Sequence, residues 1–228
     1  MKSVICGMNV ALRILMKFPF SKIALLLLFC YCISACTVSK NPLRKEVKEL
    51  RKGTLKDDTS FVYSLPFENG NSHLVVQGYF GIFSHQERAA LDFKMKRGTK
   101  IVAVRDGVVT RVKEDGEKGG WNRKYRSQGN NIIIQHSDNS RSGYWHLQKD
   151  GALVRVGDTV RQGQVIGLSG KTGFAATPHL HFIVWKSNSR GQWQQVATRF
   201  KTSKGIKYLR AWKWYRNERE TQDEASAF

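Results

Sequence analysis

The chain has 228 residues, which is enough for one ordinary domain with additional segments. Its hydrophobic content of 41% supports a packed core and excludes wholesale disorder. A formal net charge of +20 predicts an acidic partner: a nucleic acid, an anionic membrane or an anionic cell-wall polymer.

The amino terminus has the layout of a secretory signal. The charges that precede Lys40 are all basic: Lys2, Arg13, Lys17 and Lys22. They are followed by the apolar run IALLLLFCYCISAC, which ends in small residues. This run is shorter than the roughly 20 apolar residues that a spanning helix needs. We therefore predict a cleaved signal over residues 1–35, with an uncleaved membrane anchor as the alternative.

The end of this signal, ISAC (residues 33–36), resembles the lipobox of bacterial lipoproteins. The resemblance implies that Cys36 is acylated, becomes the first residue of the mature protein and attaches it to a membrane. The alternative is that Cys36 is one more apolar residue of a hydrophobic segment. Removing the four basic residues leaves a charge of +16 outside the cytoplasm, which argues against a nucleic-acid partner.

The cysteines are confined to this region, at Cys6, Cys30, Cys32 and Cys36. The mature domain therefore has no disulfide bonds, and a cysteine-based zinc site is excluded.

Residues 36–60 are predicted to be a lipidated cysteine followed by a polar tether, because they are charge-dense with almost no apolar periodicity. A short helix over residues 43–51 fits the sequence, but we expect it to find little to pack against.

From residue 61 the chain changes to short strand-like runs separated by glycine and polar turns. The runs are HLVVQGY, ALDFKM, KIVAVRDGVVTRVKEDG, NNIIIQH, SGYWHLQ, QVIGLSG and HLHFIVW. They predict an all-β domain over residues 61–200, in which antiparallel sheets form a sandwich-like core with an open groove. Residues 116–131, with four glycines and four basic residues, are predicted to be a mobile basic loop.

Residues 201–228 interleave basic residues with tyrosine and tryptophan and then turn acidic. They are interpreted as a basic-aromatic extension. A packed final strand with a frayed end is favoured over a segment that contacts the wall or a membrane.

The run PHLHF (residues 178–182) contains the first candidate site. In a strand, His179 and His181 point to the same face about 7 Å apart, while Leu180 and Phe182 face the core. Such a pair suits a metal or proton-transfer site, although two surface histidines would give the same pattern.

Two further strands carry polar side chains beside apolar ones. In ALDF, Asp92 alternates with core-directed residues, and a buried carboxylate is costly unless it is paired or bound to a metal. In SGYWHLQ, alternation predicts Tyr144 and His146 on one face, opposite Trp145 and Leu147. Three such strands indicate a common groove, with a turn-capping role for Asp92 as the alternative.

The order of these motifs resembles that of the lysostaphin-type zinc endopeptidases, which cleave peptidoglycan cross-bridges. The resemblance covers residues 62–200 and includes His85 to Asp92, Y-W-H-L and G-x-T-G-x(4)-P-H-L-H-F. It implies that His85, Asp92 and His181 bind one zinc ion, while His146 and His179 polarise the water and stabilise the oxyanion. Six residues separate His85 from Asp92, where the family commonly has three.

The resemblance also implies that the substrate is peptidoglycan. The signal, the lipobox and Thr37 after the cysteine predict that the protein is anchored in the cell envelope, on the outer membrane or in the periplasm if there are two membranes. The competing hypotheses are a catalytically silent wall-binding or amidase-activating lipoprotein of the same fold, and a structural lipoprotein that tethers the envelope. His73 and His136 are interpreted as solvent or packing histidines.

Overall fold

The computed structural model describes residues 41, 43–52, 54, 62–188 and 190–218. The predicted signal, the lipobox and the acidic end of the chain lie outside these residues. No helix in the described ranges is long and apolar enough to cross a membrane.

The described part of the chain is built mainly from strands, as the sequence predicts. One α-helix, α1 (Leu43–Lys52), precedes them. The strands are β1 (Val62–Tyr63), β2 (Ser72–Gln77), β3 (Ala90–Lys94), β4 (Lys100–Val102), β5 (Gly107–Lys113), β6 (Asn130–Gln135), β7 (Arg141–Ala152), β8 (Thr159–Val160), β9 (Val165–Ser169), β10 (His179–Ser187), β11 (Trp193–Val196), β12 (Arg199–Thr202), β13 (Gly205–Lys207) and β14 (Lys213–Arg216).

Eleven strands form one antiparallel sheet with the order β14-β2-β3-β10-β7-β6-β5-β8. β11 is added beside β10, and β4 joins through β9, which pairs with β7. A second sheet has the order β1-β12-β13, in which β1 and β12 run parallel. The prediction of an all-β fold with antiparallel sheets is therefore confirmed.

Alternate residues of the central strands fill the hydrophobic core. Tyr144 of β7 and Phe182 of β10 are essentially inaccessible, with ring centroids 5.4 Å apart. Phe182 in turn contacts Phe200 of β12 at 5.8 Å, which joins the large sheet to the small one. Burial of each large side chain contributes about 1.5–3 kcal/mol to stability, so these rings fix which face of the large sheet is inside.

The alternation predicted for β7 is wrong at two positions, Tyr144 and Trp145. Tyr144 faces the core, where its hydroxyl accepts a hydrogen bond from the backbone N–H of Val104 at 2.9 Å. Trp145, rather than Tyr144, lies on the groove face, opposite His181. His146 still reaches the groove because Asn130 pairs with Leu147 and the adjacent Asn131 pairs with Trp145, so His146 is the extra residue of a β-bulge.

The last strands belong to the same fold as the rest of the domain. The sequence-based boundary after residue 200 falls within β12, and β14 pairs antiparallel with β2 at the edge of the large sheet. The described part of the carboxyl-terminal segment thus has the packed final strand that the sequence favours.

Helix α1 also packs, contrary to our expectation. The side chain of Asn41 caps it by accepting a hydrogen bond from the N–H of Leu43 at 3.0 Å. Val47 is only 5% exposed and is part of the hydrophobic core, with Leu43 and Leu50 packed against that core. A segment predicted to be a tether therefore contributes apolar surface to the folded unit.

Removal of this contact tests the packing of α1. We expect Val47→Ala to lower the free energy of unfolding by about 1–2 kcal/mol, because it deletes buried methyl groups. Lys48→Ala, at an exposed position of the same helix, is the control and should change it by less than about 0.5 kcal/mol. Urea unfolding of both variants measures the difference; equal stabilities would mean that α1 does not pack on the domain.

Candidate metal centre and catalytic groove

A single row of side chains crosses the large sheet on the face opposite the core. Strand pairing places Gln77 beside Asp92, Asp92 beside His181, His181 beside Trp145 and Trp145 beside Asn131. Residues in register on neighbouring strands point to the same face. We call this surface, which carries Asp92 and His181, the site face.

His85 joins this row from the loop between β2 and β3, so the three predicted metal ligands meet. The Nδ1 atom of His181 lies 2.9 Å from Oδ1 of Asp92 and 3.1 Å from Nε2 of His85. His85 Nε2 lies 3.2 Å from the same Asp92 oxygen. All three residues are buried, and the group could hold a metal ion.

The protons available to this cluster are too few to connect it by hydrogen bonds alone. Nδ1 of His85 lies 3.3 Å from the carbonyl oxygen of Gly78, so it carries the ring proton and Nε2 presents a lone pair. That lone pair faces a carboxylate oxygen of Asp92, another acceptor. A neutral His181 has one proton at most to offer to either of them. A cation between the three atoms would satisfy all of them.

The donor set and its spacing fit zinc. Two imidazole nitrogens and one carboxylate oxygen are common zinc ligands, and catalytic sites use three protein ligands with a fourth position open. Ligand atoms about 2.0–2.1 Å from a tetrahedral zinc lie about 3.3 Å apart. The separations of 2.9, 3.1 and 3.2 Å in the cluster are close to this value.

Gln77 holds two of the three candidate ligands in place. Its Nε2 donates to Oδ2 of Asp92 at 2.9 Å, which leaves Oδ1 to face the two histidines. Its Oε1 accepts from the backbone N–H groups of Phe83 and Ser84 at 3.1 and 3.0 Å, just before His85. One buried amide therefore orients the carboxylate and fixes the turn that presents His85.

The electrostatics of the cluster keep the carboxylate charged and His181 neutral. Burial by itself would raise the pKa of Asp92, but the neighbouring imidazoles of His85 and His181 hold that pKa well below its usual value. Burial lowers the pKa of His181 to about 4, although its hydrogen bond with Asp92 opposes the shift. At neutral pH both residues are thus in the form that a metal ion requires.

The two remaining predicted site residues, His146 and His179, lie next to the cluster. Their ring centroids are 4.6 Å apart, and Nε2 of His179 is 3.8 Å from Oδ1 of Asp92. Nδ1 of His146 donates to the carbonyl oxygen of Thr172 at 2.7 Å, and Nδ1 of His179 donates to that of Thr177 at 2.7 Å. These bonds fix both tautomers, so each ring keeps a lone pair on Nε2.

The backbone and the environment of His146 are both unusual. Its φ of +68° is in the left-handed region, which costs a non-glycine residue about 1–3 kcal/mol and is common at functional sites. Burial, assisted by charge on His179 and His181, lowers the pKa of His146 to about 3. The ring is therefore neutral at neutral pH.

The loop between β9 and β10 supplies both carbonyl groups that orient these histidines. The hydroxyl of Thr172 donates to the carbonyl of Leu147 at 2.6 Å and accepts from the N–H of Asn130 at 3.0 Å. Gly173 has a φ of +80°, and a Cβ there would lie 2.6 Å from the Cα of Gly129. The G-x-T-G motif thus serves to hold this loop against β6 and β7.

Sequence reasoning missed Gln77 and Thr172, which contact the candidate site residues directly. His73 and His136 lie outside the cluster. His73 bonds the carbonyl of Lys94 at 2.9 Å, and the buried His136 bonds the hydroxyl of Ser142 at 2.9 Å.

The fold and the site together define a metallopeptidase-type domain. Residues 86–195 match the model of Peptidase family M23. The chain therefore contains a domain of peptidase family M23. The matched segment includes Asp92, His146, His179 and His181, and His85 immediately precedes it.

Curated relatives are similar to this chain over the same region. Identity is 42% over 96 residues to an uncharacterized metalloprotease of Buchnera aphidicola, covering 42% of this chain and 22% of the relative. It is 39% over 93 residues to glycyl-glycine endopeptidase ALE-1 of Staphylococcus capitis, covering 40% and 23%. It is 41% over 91 residues to peptidoglycan DD-endopeptidase ShyA of Vibrio cholerae, covering 40% and 18%. The chain spans about a fifth of the length of these relatives.

Among solved structures, the catalytic domain of lysostaphin from Staphylococcus simulans is 30% identical. The match covers 55% of this chain and 87% of that domain, with a TM-score of 0.38.

The metal assignment predicts different outcomes for two histidines of the same site. His181→Ala should lose zinc, because it removes one of three ligands, whereas His146→Ala should retain about one equivalent. Elemental analysis of both purified variants, with unfolding curves to verify the fold, makes the comparison. A full equivalent of zinc in folded His181→Ala would contradict the assignment.

Proposed function

We propose that this chain is a zinc-dependent endopeptidase that hydrolyses amide bonds in the peptide cross-links of peptidoglycan, and that it is anchored to the cell envelope through a lipidated Cys36. The observation that supports the enzymatic part most strongly is the convergence of five titratable side chains on one face of the sheet. A catalytically silent wall-binding protein of the same fold would have no need for all five.

In this proposal His85, Asp92 and His181 hold the metal through Nε2, Oδ1 and Nδ1. When bound there, zinc lowers the pKa of a coordinated water and polarises the scissile carbonyl group. Gln77 keeps the carboxylate in the required orientation, and the burial of all three ligands limits their contact with bulk water.

His146 and His179 transfer the proton of the attacking water. Either ring can accept the proton of the attacking water at Nε2, since each uses its own Nδ1 proton for a backbone carbonyl. The same ring can then give that proton to the departing amine nitrogen as the C–N bond breaks. A ring that instead donates to the developing oxyanion must first be protonated at Nε2, and such a bond stabilises the transition state by a few kcal/mol in comparable sites.

Peptidoglycan as the substrate class is supported by the relatives and by charge. ShyA is named a peptidoglycan DD-endopeptidase, and its matched region is 41% identical to this chain. Peptidoglycan stem peptides carry free carboxylates, so a mature chain with a net charge of +16 is attracted to them over a long range. ALE-1, at 39% identity, is named for a different bond, so the bond that this chain cleaves is left to experiment.

Mass spectrometry of the fragments released from purified peptidoglycan tests the proposed activity. The zinc-loaded wild type should release peptides cut at one defined cross-link bond. His146→Ala should keep its zinc and lose at least about 10²-fold in rate, because it removes one of the two rings that handle the proton. Near-normal turnover in this variant would exclude the role of His146; a zinc-loaded wild type that released nothing would contradict the enzymatic proposal.

Replacement of the proposed lipidation site tests the anchor separately. Cys36→Ala should abolish acylation and either block cleavage of the signal or release a soluble form. Labelling with a radioactive fatty acid and sequencing of the mature amino terminus provide the readouts. A wild type that takes up no label and begins at another residue would show that the anchor assignment is wrong.

A further inference from the structure

The site face extends beyond the metal cluster along β7 and β10. On this face, the pair that follows His181 and Trp145 is Ile183 with Gly143, and the pair after that is Trp185 with Arg141. Trp185 therefore lies on the same face as His181, four residues along the strand, which corresponds to about 13 Å.

Contacts between aromatic rings connect His181 to Trp185. The ring of Trp145 contacts that of His181 with centroids 6.2 Å apart and that of Trp185 at 5.4 Å. Both indoles lie over Gly143, where a Cβ would be 2.0 Å from Trp145 and 2.8 Å from Trp185. The absence of a side chain at residue 143 lets both indoles approach the backbone there, with their planes inclined by 62°. His181, Trp145 and Trp185 thus form a row of aromatic contacts that leads away from the metal cluster.

This surface ends at a guanidinium group. The Cζ of Arg141 lies 4.0 Å from the ring centroid of Trp193, whose side chain is 41% exposed. The Nε and Nη2 atoms of Arg141 both donate to Oε1 of Gln135 at 3.2 Å. Stacking and hydrogen bonding thus fix the plane of the guanidinium before any ligand arrives, which reduces the entropy lost on binding.

The charge of Arg141 is not neutralised by its surroundings. None of the ion pairs among the described residues involves Arg141, and Nη1 has no hydrogen bond in that part of the chain. An oriented guanidinium with one edge available matches a carboxylate, which accepts its N–H groups in a charge-assisted bond.

We propose that Arg141 and Trp193 form a carboxylate-binding subsite that receives an acidic group on the extended peptide substrate. The inference rests on the proposed function for the identity of that substrate. Four extended residues span about 13 Å, so the acidic group lies about four residues from the bond that is cut. The subsite then selects cross-linked peptides with a free carboxylate over those in which the group is an amide.

Kinetics on two matched substrates test this subsite. Soluble cross-linked muropeptides are used with their carboxyl groups either free or chemically amidated. Arg141→Gln should raise KM for the free-carboxylate substrate about tenfold, with kcat and zinc content unchanged, because it removes a charge-assisted hydrogen bond. It should leave the kinetics on the amidated substrate unchanged, which also verifies that the variant is folded.

Arg161→Gln is the matched control, because it removes the same charge from an exposed turn away from this surface. It should behave as the wild type on both substrates. An equal loss in Arg141→Gln on the two substrates, or no loss on either, would overturn the subsite.

Failure of the proposed function has a different signature. A zinc-loaded wild type that hydrolyses neither substrate would contradict the endopeptidase proposal and leave binding to be measured by calorimetry. A preference of the wild type for the free-carboxylate muropeptide that is lost in Arg141→Gln would then support the subsite. Equal affinities for the two forms would overturn it.

Discussion

The site depends on three buried electron-pair donors that lie close to one another. His85, Asp92 and His181 approach one another within 3.2 Å, although the protons at hand cannot pair them all. Unpaired polar groups in a buried position cost about 1–3 kcal/mol each. Such a cluster persists only if the fold forces its members together, and a bound cation is what would make the arrangement favourable.

Strand pairing in the antiparallel sheet holds the ligands together. Asp92 and His181 are direct neighbours across β3 and β10, so the apolar residues that fix the register of these strands also fix the distance between the two ligands. Gln77, one strand further, orients Asp92 and the turn before His85. Core packing on one face of the sheet thus determines ligand geometry on the other.

Much of this was accessible from the sequence, because period-2 alternation alone places Asp92 on the face opposite Leu91 and Phe93. The same rule failed at Tyr144 and Trp145, since the bulge at the left-handed residue His146 has no signature in a short run of letters. The proposed roles of His85, His146 and His179 rested on the motif resemblance, as His85 lies in a loop whose path alternation does not determine.

Other features had no signal in the sequence. Glutamine and threonine occur throughout protein surfaces, so nothing marked Gln77 or Thr172 as partners of the site residues. The packing of Val47 and the pairing of β14 with β2 depend on long-range contacts that a local pattern does not encode. Arg141 was similarly one of many basic residues until strand pairing placed it on the site face.

The most direct test of the account is the location of the metal. Crystals of the purified protein grown with zinc, measured above and below the zinc absorption edge, give the position of the ion independently of any assignment. The account predicts one anomalous peak, about 2.0–2.2 Å from His85 Nε2, Asp92 Oδ1 and His181 Nδ1. Absence of zinc between these three atoms, or a zinc ion held by other residues, would contradict it.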